Sequence, residues 1–327
     1  MKDKLNVQVN SEIGDLEGVV IHTPGNEVEN MIPENAERAL YSDILNLTVA
    51  SLEHRQLSGV LERVTQTYQV TDLLGDALAN EKVKEDLVSQ ICKNEEVEEI
   101  QDYLLDLSNE DLARQLIEGV VMKKDNLTKY LDPNRYILKP LHNFFFTRDA
   151  SVSMGEEVFI SKMASNVRAR ESIIMETIFN YSPYFKTKTV NPLQFPFHQQ
   201  DMTIEGGDVL VAREDVLLIG MSGRTNSKAI DFFIERFKRN KTDKHIIVQE
   251  LPTEPESFIH LDMVFTFLDT NKCMVYEPLI LQNNRYQTLH IYIKNGHVEY
   301  IRKEKNLLSA LEDLGFKLEP VLCGGDA

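Results

Sequence analysis

Apolar residues change their spacing along this chain, and the change divides it into three kinds of segment. From Leu16 to His22 they cluster in a strand-like run that ends at the Pro24-Gly25 turn. Between Pro33 and Val64, Leu40, Ile44, Leu47, Leu57 and Leu61 fall on or near one stripe, which predicts a long helix. The pair Glu53-His54 lies within it and takes no role on its own. Helical spacing continues in shorter pieces, predicting helices over Lys82–Cys92, Glu95–Leu107 and Asn109–Val120, with Ser108 as the cap of the last. After Pro140 the pattern turns strand-rich.

The strand-rich part repeats itself. One repeat runs from Asp149 through Met154, turns at Gly155-Glu156-Glu157, returns through Val158-Phe159-Ile160, and has Arg168 opening a helix to about Asn180. A second runs from Asp208 through Ala212, turns at Arg213-Glu214-Asp215, returns over Val216–Gly220, and has Arg224 opening a helix to about Arg239. A third starts at Asp262, turns at Asp269, and returns through Cys273–Tyr276. Two strands and a helix every 55–60 residues or so predict stacked or radial repetition. The steps Glu205-Gly206-Gly207-Asp208 and Cys323-Gly324-Gly325-Asp326 share Gly-Gly-Asp, so the chain is expected to stop at the threshold of a further repeat.

Composition narrows the classes. At 327 residues the chain is long enough for about two domains. Its net charge of −17 disfavours binding nucleic acid by bulk electrostatics. It has no apolar run of membrane-spanning length and no apolar leader at its start, so no membrane association is expected. Three widely spaced cysteines make neither a disulfide framework nor a metal cluster, which suits a reducing, cytoplasmic setting. The stretch from Asp72 to Glu118 carries 14 acidic and four basic residues, and we read it as a helical insertion with a solvated face.

Candidate chemistry gathers where the repeats begin. Asp149 follows an aromatic run, Asn143 to Phe146; Glu205 and Asp208 flank a glycine pair; His260 and Asp262 alternate along a presumed strand start, which would aim them to one face. Radial repeats would bring Asp149, Glu205, His260 and Asp262 to one mouth. Several carboxylates with one His suit a cation, and guanidinium, with its forked donors, pairs with them bidentately. Their like charges should raise at least one carboxylate pKa. Arg168 and Arg224, each at an expected helix N-terminus, suit an anion. A ligand with a cationic head and a carboxylate tail, such as free arginine, fits both ends. The same His and carboxylates could instead hold a divalent metal, although zinc would favour more His or Cys.

The motifs as a set resemble the arginine deiminases of the guanidino-group-modifying, or pentein, superfamily. The resemblance spans essentially the whole chain: Glu12–Leu16 leading to His22-Thr23-Pro24-Gly25, Glu53-His54, the acidic insertion, Phe145–Asp149, Glu205–Asp208, Ser222–Thr225 and His260–Asp262. It implies an α/β fold, a pentein-type propeller of ββαβ repeats with an inserted helical domain. The corresponding division is residues 1–73 as a first propeller unit, 74–130 as the insertion and 131–327 as further units, with about four of five units present and the final one missing. It also implies hydrolysis of L-arginine to L-citrulline and ammonia through a Cys-amidino intermediate, with no cofactor and no metal. His260 would be the general acid/base, Glu205 its partner, and Asp149 and Asp262 the grips on the guanidinium. Asn143, Phe146, Arg168 and Arg224 would bind the substrate. A homo-oligomer, a dimer or higher, is expected. Cys92, Cys273 and Cys323 do not match the family's nucleophile, so the 327-residue chain is expected to be inactive and its parent longer. An amidinotransferase of the same fold and a non-catalytic guanidino-binding protein are the alternatives.

Overall fold

The computed structural model describes residues 4–29, 31, 44–254 and 258–324. The chain folds as two compact units, each assembled from separated segments. The first comprises residues 1–5, 16–147 and 165–186; the second comprises 6–15, 148–164 and 187–327.

In the first unit, strand Gly18–Ile21 pairs in parallel with Gln66–Gln69, and helix Leu47–Val64 joins them. That helix starts where the Asn46 side chain accepts a hydrogen bond from the Val49 N–H at 3.2 Å. The expected helix over Pro33–Val64 is therefore present from Leu47 on, and residues 33–43 lie outside the described residues. The acidic stretch forms helices Val70–Ala77, Glu81–Asn94, Gln101–Leu105 and Asn109–Glu118. Their apolar faces meet: Leu73, Leu74, Leu87, Val88, Ile91, Leu104, Leu112 and Leu116 are all buried. Ser108 caps the last helix, its Oγ accepting from the Asp111 N–H at 3.1 Å. The predicted helix over Glu95–Leu107 is broken. Glu96 adopts a left-handed backbone (φ 57), and a 3-10 turn over Glu98–Ile100 precedes the short helix.

The second unit holds the repeats. Hairpin Ser151–Met154/Glu157–Ile160 pairs in parallel with Lys188–Val190. Hairpin Val209–Arg213/Val216–Met221 pairs in parallel with Lys244–Glu250, reached through helix Ser227–Asn240. Hairpin Phe265–Asp269/Lys272–Tyr276 pairs in parallel with Glu319–Cys323, and helix Leu307–Asp313 precedes that last strand. The middle sheet is extended by a second hairpin, Thr288–Lys294/His297–Glu304, giving five strands. No sequence pattern singled this hairpin out.

Side-chain alternation explains why the middle sheet is so apolar. Val209, Val211, Leu217, Ile219, Ile246 and Val248 face Phe159, Phe232, Phe233 and Phe237 on one side. Leu210, Val216, Leu218 and Ile247 face Leu261, Phe265, Cys273, Val275 and Leu311 on the other. Both faces are buried, so the strands read as continuous apolar runs rather than alternating ones. The architecture is α/β. Among the described residues no helix is long and apolar enough to cross a membrane.

Candidate active site

In three of the four hairpins described in the second unit, the first strand is preceded by one tight helical turn, and the candidate residues sit on or beside these turns. Asp149 lies in Thr147–Ala150, before the strand at Ser151. Gly206-Gly207-Asp208 is a 3-10 turn before Val209, with Glu205 extended at its start. Leu261-Asp262-Met263 is a 3-10 turn before Phe265, with His260 extended at its start. His260 and Asp262 are thus not arranged by strand alternation, as the sequence suggested. A turn, not a strand, carries Asp262.

The glycine pair permits the close approach. A Cβ on Gly206 would overlap the Arg148 carbonyl oxygen, and one on Gly207 would fall 2.6 Å from His260 Nδ1. The His260 ring therefore lies against the Gly207 backbone. Its Nε2 is 3.1 Å from Glu205 Oε2, and its Nδ1 is 3.7 Å from Asp149 Oδ1. All three residues are buried, Glu205 completely. The other Glu205 oxygen accepts from the Ala164 N–H at 3.1 Å. Burial pushes the His260 pKa down, but the hydrogen bond to Glu205 and the charges of Asp149 and Asp208 outweigh it and hold the ring at about 9. Asp262 is pushed up to about 6, first by burial and further by Asp149, against the pull of His260 and Arg148. A raised carboxylate was expected from like charges; desolvation is the larger cause.

Arg148, beside Asp149, locks the turns together. Its guanidinium pairs with both oxygens of Glu12 at 2.8 and 3.0 Å and donates to the carbonyls of Gly206 (3.2 Å) and Val209 (2.6 Å). Glu12 Oε1 also accepts from the Val211 N–H at 2.8 Å. The sequence gives no signal for this pairing, because the partners are 136 positions apart.

The remaining candidates divide between the two units. Arg224 belongs to the second, but it does not open a helix: Asn226 is the cap and the helix starts at Ser227, so Arg224 stands in the preceding turn. Asn143, Phe146 and Arg168 belong to the first. Arg168 is buried at the end of a 3-10 turn that leads into helix Ala169–Tyr181. Its guanidinium is paired with Glu171 in the same first turn, at 2.8–3.1 Å, and donates to the Asn143 carbonyl at 3.4 Å. Phe146 is half exposed and packs on Phe145, with ring centroids 4.4 Å apart.

The trio Asp149, Glu205 and His260 offers ligand atoms within 4.8 Å of one another, a geometry able to accept a divalent cation. An imidazole that titrates near 9 is protonated at neutral pH, and a metal would have to displace that proton. Two carboxylates that flank an imidazolium suit proton transfer beside a bound cation better.

The arginine deiminase family model matches residues 37–326. The chain belongs to the arginine deiminase family. An arginine deiminase from Bacillus cereus is 32% identical over 338 residues, which cover 98% of this chain and 82% of the relative. One from Staphylococcus aureus is 31% identical, covering 94% of this chain and 78% of the relative. Among solved structures, a DDAH from Pseudomonas aeruginosa complexed with citrulline superposes with a TM-score of 0.44 at 13% identity, over 94% of this chain and 92% of that one.

Of the three cysteines, Cys92 and Cys273 are fully buried. Desolvation pushes both thiols up to about 11, the reverse of what a nucleophile needs. Cys323 is half-buried on the strand Glu319–Cys323.

Proposed function

We propose that this protein carries an arginine deiminase site, which with a matching cysteine thiolate hydrolyses the guanidinium of L-arginine to L-citrulline and ammonia. The observation that carries the reading is the His260 ring held between the Glu205 and Asp149 carboxylates on turns from three separate repeats. Asp149 and Asp262 pair with the guanidinium nitrogens of the substrate. A thiolate attacks the guanidinium carbon, and the C–N bond to one terminal nitrogen breaks. His260 gives that nitrogen its proton, so it leaves as ammonia. Water then attacks the amidino-thioether carbon, His260 takes the proton, and the C–S bond breaks to release citrulline and restore the thiol. Glu205 orients the His260 ring and stabilises its imidazolium form before the first proton transfer and after the second. Arg224, in the same unit as these residues, holds the amino-acid end of the substrate. The reading carries with it the pentein-type propeller of ββαβ repeats, with 1–73 as a first propeller unit, 74–130 as the helical insertion and 131–327 as further units.

Because none of Cys92, Cys273 and Cys323 matches the family's nucleophile, and burial raises the thiols of the first two, the 327-residue chain is proposed to bind arginine without turning it over. Calorimetric titration with arginine, beside a citrulline assay on the same protein, tests both parts. Binding without citrulline supports the reading. Citrulline formation abolished by Cys323→Ser would make Cys323 the nucleophile and end the proposal of inactivity. Absence of both binding and turnover would overturn the function.

A further inference from the structure

A ring of hydrogen bonds joins the site turns, and three of its members, Asp208, Ser222 and Thr225, take no part in the chemistry just described. The His260 Nε2 meets Glu205 Oε2 at 3.1 Å. The Glu205 N–H donates to Thr225 Oγ1 at 3.2 Å, and the Thr225 N–H donates to Ser222 Oγ, also at 3.2 Å. The Arg224 N–H donates to that same Ser222 oxygen at 2.9 Å. The Ser222 hydroxyl donates to Asp208 Oδ2 at 2.6 Å. Asp208 Oδ1 accepts from the N–H of Leu261, the neighbour of His260, at 3.0 Å, and the ring is closed.

The capacity of each group is used. A serine hydroxyl has one proton and two lone pairs, and Ser222 commits all three. Asp208 is fully buried, and burial pushes its pKa up to about 7. Keeping a carboxylate there is costly, and a group that only filled the space would avoid the cost. The opposing strand makes room for it: a Cβ on Gly220 would collide with Asp208 Oδ1.

We propose that Asp208 is the positioning residue of this site. One carboxylate oxygen fixes the turn bearing His260 and Asp262, and the other fixes the turn bearing Arg224. The general acid/base and an arginine for the far end of the ligand are thereby set in register by a single side chain. The assignment of those ends rests on the proposed function; the ring itself does not.

Two variants cut the ring at one link from opposite sides. Asp208→Asn keeps an oxygen for the Leu261 N–H but leaves the Ser222 proton without an acceptor. Ser222→Ala removes the hydroxyl and leaves Asp208 intact. Each should weaken arginine binding about tenfold, and the double variant should fall well short of the roughly hundredfold loss expected of independent sites, because both variants break the Ser222–Asp208 bond, although Asp208→Asn also disturbs the Thr225 hydroxyl's bond to Asp208. The His260 titration, followed by NMR of the ring nitrogens, should separate the two halves. Ser222→Ala leaves it near the parent value, whereas Asp208→Ala lowers it by about one pH unit or more. Arginine binding within twofold of the parent in both single variants, or an unmoved His260 titration in Asp208→Ala, overturns the proposal. If Asp208→Ala fails to fold, the non-additivity of Asp208→Asn and Ser222→Ala decides. If the parent binds no arginine, the proposed function falls. The ring then stands or falls on whether Asp208→Asn moves the His260 titration, which needs no ligand.

Discussion

His260 has a carboxylate near each ring nitrogen, and its protonated form is therefore favoured in the folded chain. A free imidazole titrates near 6.5 and this one near 9, so its contribution to stability is complete below pH 6.5 and is lost as pH rises through 9. Asp262 and Asp208, raised to about 6 and about 7, also bind protons more tightly when folded. Their ionisation costs stability as pH climbs from about 4 to 7. All three act in one direction. The thermal midpoint, measured by calorimetry, should fall between pH 6.5 and 9, above the range in which the buried histidines His54, His245 and His290, with lowered pKa values, act the other way, and Glu205→Gln should flatten that fall. A midpoint that rises over that upper range would contradict the charge arrangement. Gly207 offers a steric test. Gly207→Ala places a methyl 2.6 Å from His260 Nδ1, so it should displace the ring and abolish arginine binding, at a stability cost of about 1–3 kcal/mol. Arg148→Met should cost about 1.5–3 kcal/mol in denaturant unfolding, because Glu12 keeps its charge and loses both donors.

Among the elements, those with a local signal were legible. Ser108 announced the helix Asn109–Glu118, and the apolar runs of Val209–Arg213 and Val216–Met221 announced their hairpin. Ser108→Ala should cost about 1 kcal/mol in urea unfolding, and a value near zero would mean that tertiary packing alone holds that helix end. The acidic, His and glycine positions of the site could be named from their motifs. The turns that present them could not, since a single 3-10 turn before a strand has no periodicity of its own. Arg224 illustrates the same limit. Its turn is closed by Ser222 and Thr225, and Asn226 rather than Arg224 starts the helix. The hairpin Thr288–Lys294/His297–Glu304 was illegible for a different reason. Its second strand is mostly exposed and polar, so it carries no apolar run.

The charge of the whole molecule, −17, opposes compaction, and the stretch from Asp72 to Glu118 contributes much of it. Raising sodium chloride from about 0.05 to 0.5 M shortens the screening length from about 14 Å to about 4 Å, so the thermal midpoint should rise. A fall would mean that specific ion pairs such as Arg148–Glu12 outweigh the general repulsion. The location of the sulfur atoms has a separate, practical consequence. Cys92 is enclosed by helices and Cys273 lies in the layer beneath the middle sheet, while Cys323 alone of the three retains accessible surface. A thiol reagent such as Ellman's should therefore release one equivalent of chromophore promptly from the native chain and three after denaturation. The protein thus carries a single natural attachment point for a maleimide dye, and a probe at Cys323 would report on the strand Glu319–Cys323 without engineering.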